Sequence, residues 1–294
     1  MGKVRNAANT VRIGRIGENT WYVRDGIQIV RQRLNNSNFG EGARRTRAQQ
    51  VRRVVWGNLV NVWKVLQPYL QSAFENKKQG QSDYNIFMSL NADNSSIYLT
   101  RTQLEAGASV PGGYWVSKGS LTPFGEVMAV DQVANKAYVL MNWGDASITT
   151  PTSSTWGALS SALIAANPDV MNGDNIAFLT VGFRVGEDNV PRMYVGYKEL
   201  ALNTADGDSL EDHELPLNQV EGIGSVMEIV VPTGVTPVGG CIIRTRLDGG
   251  LKVSSQHIVQ AYDDAAAEYR SDEQLEAAIK ELGIDSDVIL APGD

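Results

Sequence analysis

The sequence predicts a mainly β chain with helices, an α+β protein. An N-terminal arm and β-hairpin come first, then one long amphipathic helix, then an antiparallel β-sandwich or barrel body with short helices. Three observations predict it. Apolar residues recur at helical period from the late forties to the mid-seventies. From residue 84 onward, short β-branched and aromatic runs alternate with Gly, Asp, Asn and Pro. Two short alternating runs near the start flank Asp25-Gly26, a dipeptide suited to a tight hairpin turn. At 294 residues the chain is long enough for one or two compact units. The expected segments are 1–40 (basic arm and hairpin), 41–80 (amphipathic helix), 81–260 (sandwich-like body) and 261–294 (C-terminal helix and tail).

Residues 1–19 have spaced glycines and no periodicity, as an extended arm that orders on contact would. "NTWYVRDGIQIVRQR" predicts strands at 20–23 and 27–33, with Trp21, Val23, Ile27 and Ile29 on an apolar face and Arg24, Gln28 and Arg31 on the other. A lone hairpin is marginal in water, so this one should dock on its own body or another subunit. In "TRAQQVRRVVWGNLVNVWKVLQPYLQSAF", Thr46 and Gln49 have capping-box spacing at a helix start. A step of about 100° per residue places Val51, Val55, Leu59, Val62, Leu66, Tyr69 and Leu70 on one stripe. Trp56, Trp63 and Phe74 flank it, and Pro68 interrupts or kinks the helix.

Strand runs follow: "NIFMSL", "SIYLT", "GYWVSKGSL", "KAYVLMNW", "NIAFLTVGFRV", "RMYVGYKEL", "VMEIVV" and "GGCIIRTRLDGGLKVSSQHIV". The last is a hairpin turning at Asp248-Gly249-Gly250. Thr155 caps a short helix that ends before Pro168, and Ser271 with Gln274 opens another that stops at Gly283.

Charge is distributed unevenly. Residues 1–80 hold fifteen Lys and Arg against four acids, a net of +11, whereas residues 81–294 hold eleven against twenty-nine, a net of −18. Five arginines (Arg44, Arg45, Arg47, Arg52 and Arg53) gather where the long helix should begin. That end of a helix carries partial positive charge, so an anion should offset them. Guanidinium groups suit carboxylates as well as phosphates, and an acidic side chain from this body or an adjacent subunit is the expected answer. The candidate assembly residues are Trp21, Arg24, Arg31, Arg44, Arg45, Arg47, Arg52, Arg53, Trp56 and Trp63.

The chemical inventory points away from catalysis. The sequence has no Gly-x-Ser-x-Gly elbow, phosphate loop, His-x-x-x-His pair or Cys-x-x-Cys pair, and the "RIGRIGENT" glycines lack the Gly-x-Gly turn of a dinucleotide fingerprint. His213 and His257 have no partner motif and are expected to be structural. The lone Cys241 lies in an apolar run, and Asp206-x-Asp208 lacks the glycine and terminal glutamate of a calcium loop, so "NTADGDSLEDHE" is expected to be a solvated loop. A non-enzymatic protein with no cofactor or metal is expected. No window reaches the length of a membrane helix, and no apolar stretch follows the basic start as in a secretion signal, so synthesis in the cytoplasm without export is expected.

Over roughly its first third the chain resembles a family of unknown function from Bacteroidota and the crAss-like phages that infect them. The matching positions are Met1, Gly2, Lys3, Gly14, Gly17, Trp21, Ile27, Val30, Arg31, Arg45, Thr46, Ala48, Gln49, Arg53, Leu66, Pro68, Asn85 and Phe87. The "NNSNFGEGAR" loop departs from the shorter Ser-Asn-Pro-Arg connection of simpler members. The resemblance implies a β-sandwich body and, for phage members, a virion component; it carries over no catalytic residue. The expectation is a structural protein of a tailed-phage virion, made in the bacterial host cytoplasm. It would form a neck or tail-barrel ring of many copies and contact itself and neighbouring virion proteins, with no membrane. One alternative is nucleic-acid binding through Trp21, Tyr22, Phe39 and the arginines. Another is a carbohydrate module using Trp115, Trp143 and Trp156.

Overall fold

The computed structural model describes residues 2–3, 14–16, 19–24, 27–32, 47–124, 128–133, 136–140, 155–220, 224–261 and 264–281. The chain forms two compact units, a small one of residues 1–46 with 77–82 and a large one of 47–76 with 83–294. The long helix, expected as a segment of its own, therefore belongs with the sheets.

The small unit is built on β1 (Gly2–Lys3), β2 (Gly14–Ile16), β3 (Asn19–Arg24) and β4 (Ile27–Gln32). The hairpin is present, and its sheet runs β1-β4-β3-β2, so the arm supplies a short strand to each edge. Those added strands give the hairpin the extra width that a lone pair lacks. The register corrects the expected faces. Arg24 pairs with Ile27, which sets Trp21 opposite Val30 and Val23 opposite Gln28. Directly paired residues share a face, so Ile29 lies on the other side from Trp21 and Val23. Gln28 is buried while Val23 is exposed. This register shifts the alternation by one position between the strands.

In the large unit, α1 (Arg47–Leu66) is followed by α2 (Asp83–Asn91), α3 (Arg101–Glu105), β5 (Trp115–Ser117), β6 (Met128–Val133) and β7 (Lys136–Leu140). Next come α4 (Trp156–Ala166), β8 (Asn175–Val185), β9 (Pro191–Ala201), β10 (Leu217–Val220) and β11 (Gly224–Glu228). The chain finishes with β12 (Thr236–Leu247), β13 (Leu251–Val253), β14 (Gln256–His257), β15 (Val259–Gln260) and α5 (Asp272–Glu281). The main sheet runs β13-β12-β8-β9 with β15 also on β12, a second runs β10-β11-β7-β6, and β14 pairs with β5. Every strand pairing is antiparallel, and no barrel closes among the described residues.

β8 is buried along most of its length because both faces of the main sheet are covered. Ala177, Leu179 and Val181 alternate with Ile176 and Phe178 into two cores. The first core joins the sheet to α1 and α2 through Leu59, Val62, Leu66 and Phe87. The second joins it to α4 and β11 through Trp156, Leu159, Leu163 and Met227. α5 closes over the N-terminal half of α1 through Leu275, Ala278 and Ile279 against Val54. The Asp248-Gly249-Gly250 turn forms as expected, with Gly249 at φ +63° and Leu247 paired to Leu251.

Two expected strands are corrected. "NIFMSL" lies in α2, and residues 96–100 belong to no strand. A short apolar run does not by itself distinguish a strand from a buried helix. Packing decides here: the Phe87 ring lies 5.2 Å from Trp63, and the Asn91 side chain donates to Phe87 O (2.9 Å) and Trp115 O (2.9 Å). The long helix ends at Leu66, two residues before Pro68, as the proline geometry requires. Its buried face also includes Gln50, Asn58 and Asn61, which hydropathy alone would leave in water.

Candidate functional site

The structure distributes the candidate assembly residues over several settings. Arg44 and Arg45 lie outside the described residues. Arg24 sits on β3 in register with Ile27, Arg31 is exposed on β4 opposite Thr20, and half-buried Trp21 faces Gly14 and Val30. The α1 residues are described in full. Trp63 belongs to the core, packed among Phe74, Tyr84 and Phe87, so it offers no surface to a partner. Trp56 is different, since 45% of it is exposed.

No acid lies in the first turn of α1. The positive helix end and its arginines are answered from elsewhere in the chain. Arg47 forms an ion pair with Glu276 of α5, and Arg52 reaches Asp93, just after α2, at 3.6 Å. Both pairs are largely exposed, and such pairs contribute about 0–1 kcal/mol each. Arg53 is exposed without an ion pair among the described residues. Stepping by three and four along a helix puts Arg52, Arg53 and Trp56 on one patch. Tryptophan and arginine are the residue types that dominate binding at protein interfaces.

Arg244 and Arg246 form a second charged constellation, which the sequence reading missed. They are two apart on β12 and therefore share a face. Arg244 is almost fully buried, with its Nε 3.0 Å from Asp174 Oδ2 and its guanidinium bonded to Asp169 and to Thr122 O (3.1 Å). Arg246 Nε meets Asp174 Oδ1 at 2.6 Å. Burial alone would raise the Asp174 pKa, but hydrogen bonds from Arg246 and the Met171 amide, with the charges of both arginines, hold it below the ordinary carboxylate value. The Phe124 ring covers the Arg244 guanidinium at 5.8 Å. All three guanidinium nitrogens of Arg244 are engaged, and Arg246 holds the same Asp174, so the cluster is a structural clamp. Its sequence signal was an arginine inside an otherwise apolar strand run, "GGCIIRTR".

The acidic loop after β9 is mostly exposed, as expected of a solvated loop, but its backbone engages α4. Asp206 O accepts from Gly157 N (2.9 Å) and Asp208 O from Trp156 N (3.0 Å), so the loop caps the first turn of α4. His213, expected to be structural, lies 3.4 Å from Asp206 through Nε2 and packs edge-on against Trp156. Asp206, Asp208 and His213 each offer one metal-ligand atom, all within 4.8 Å of one another. The capping bonds assign this loop a role in holding α4.

The remaining candidates resolve simply. Trp156 is fully buried and donates through Nε1 to Ala201 O at 2.7 Å; Trp115 packs against His257 at 5.1 Å. Neither is an open platform for a sugar, and Phe39 and Trp143 lie outside the described residues. Cys241 is buried, and burial pushes its thiol pKa up, away from the reactive thiolate. No described helix is long and apolar enough to cross a membrane. Comparison with family models, with curated proteins and with solved structures gives no match for this chain.

Proposed function

We propose that this chain is a non-enzymatic structural component of a tailed-phage virion, a neck or tail-barrel ring protein whose copies join through the basic N-terminal region and the acidic body. The observation that carries the reading is the α1 patch, where an exposed tryptophan stands beside two arginines in a chain divided into +11 and −18 parts. A ring uses heterologous contacts, with one patch meeting a different patch on the next copy. Opposite charge on the two patches guides encounter and fixes register. Arg47 and Arg52 already engage carboxylates, which favours an acidic protein surface over phosphate as the partner of this helix end. The phage setting rests on the resemblance of the first third of the chain. Mass spectrometry of purified virions tests it: the reading expects this chain at many copies per particle, and its absence from virions overturns the proposal.

A further inference from the structure

Where the turn after α1 leaves the main sheet, a pocket of about 230 Å³ opens. Its floor is Ala177 and Ile243; its walls are Tyr69 and Tyr197, with Gln71 and Glu199 also lining it. The sheet register explains why space remains. Ile243, Ala177 and Glu199 lie in one row across β12, β8 and β9, and the central alanine reaches only one methyl above the sheet. The Tyr69 and Tyr197 ring centroids are 5.4 Å apart at a tilt of 36°. Tyr197 donates its hydroxyl to Glu199 Oε2 at 2.8 Å. That bond leaves the second carboxylate oxygen of Glu199 open, and no cation pairs with this residue among the described residues.

We infer that this pocket receives an arginine side chain from the basic N-terminal third of a second copy. The chemistry is specific. Aromatic faces carry negative quadrupole density that attracts a cation. The Tyr197 hydroxyl proton is already committed, so the Tyr197–Glu199 pair offers acceptors, and guanidinium is the side-chain head with five donors and no acceptor. The aliphatic part of the side chain lies over Ala177 and Ile243, whose apolar surface suits a long stem. The +11 third of the chain supplies arginines, and the +11/−18 division supplies the complementarity. This inference rests on the assembly reading above and gives it an acceptor site on the body.

The test uses the purified full chain and a synthetic peptide of residues 41–53, with a control peptide carrying neutral citrulline in place of all five arginines. Calorimetry should show binding of the arginine peptide, a loss of about tenfold in the Glu199→Gln protein, as expected for removing one charge-assisted hydrogen bond, and no binding of the citrulline peptide. Equal binding by wild type and Glu199→Gln, equal binding of both peptides, or Glu199-dependent binding of a neutral monosaccharide without the peptide overturns the pocket assignment. Particle size measured on the same preparations separates the two ideas. Rings without peptide binding leave the assembly reading standing and the pocket refuted. Peptide binding by a chain that stays monomeric leaves the pocket's arginine chemistry standing and refutes both the second copy as its occupant and the assembly reading.

Discussion

At the scale of single residues, Asp174 holds more of the body together than any catalytic argument would suggest. It is the shared acceptor of two arginines, one of them almost without solvent. Removing one partner of such a group strands a buried charge, at a typical cost of about 3–5 kcal/mol. Asp174→Asn should therefore lower stability by roughly that amount in denaturant unfolding; a change under about 1 kcal/mol would mean that the network is dispensable. The same residue sets an acid limit. Its folded pKa lies below the unfolded value, so its contribution is fully present above the ordinary carboxylate pKa and is lost as pH falls through the lowered folded value. Glu75 acts in the same direction: burial opposes the shift, but bonds from the Ser120 amide and hydroxyl and the Val253 amide prevail. Thermal melting should hold steady near neutrality and fall below about pH 4, with a shallower acid slope in Asp174→Asn. An identical slope in the variant would contradict the assignment.

At the scale of elements, α1 separates folding from recognition on one helix. Leu59 is fully buried in the first core, so Leu59→Ala should cost about 2–5 kcal/mol by leaving a cavity. Trp56→Ala removes an exposed side chain and should leave unfolding nearly unchanged while weakening self-association. Chemical denaturation and sedimentation of the two variants check the contrast; equal destabilisation would place Trp56 in the folding core. Much of this helix was legible beforehand, because its apolar period and Pro68 are local signals. The β12–β13 turn and the caps Thr155 and Ser271 were legible for the same reason. The buried polar face was not. Asn58 bonds to Val110 through both its amide nitrogen and its side-chain oxygen and donates to the Tyr114 hydroxyl, partners more than fifty residues away in sequence. Burial pushes the Tyr114 phenol up to about 12. Such bonds are long-range facts, as is the meeting of Tyr69 with Tyr197 and Glu199. Residue order alone carries no signal for them.

At the scale of the whole molecule, the division of charge is the property that the separate sites share. It predicts association that depends on salt, since the screening length falls from about 30 Å at 0.01 M to about 8 Å at 0.15 M. Complexes that form at low salt should loosen as salt rises, and a particle size independent of salt would argue that apolar contacts alone hold the copies together. The most direct test of the central claim is single-particle imaging of the purified chain beside an Arg52→Glu, Arg53→Glu, Trp56→Ala variant. The account predicts closed rings for the natural chain and dispersed, folded subunits for the variant. A natural chain that stays monomeric at every concentration, or a variant that still forms the same rings, would contradict it.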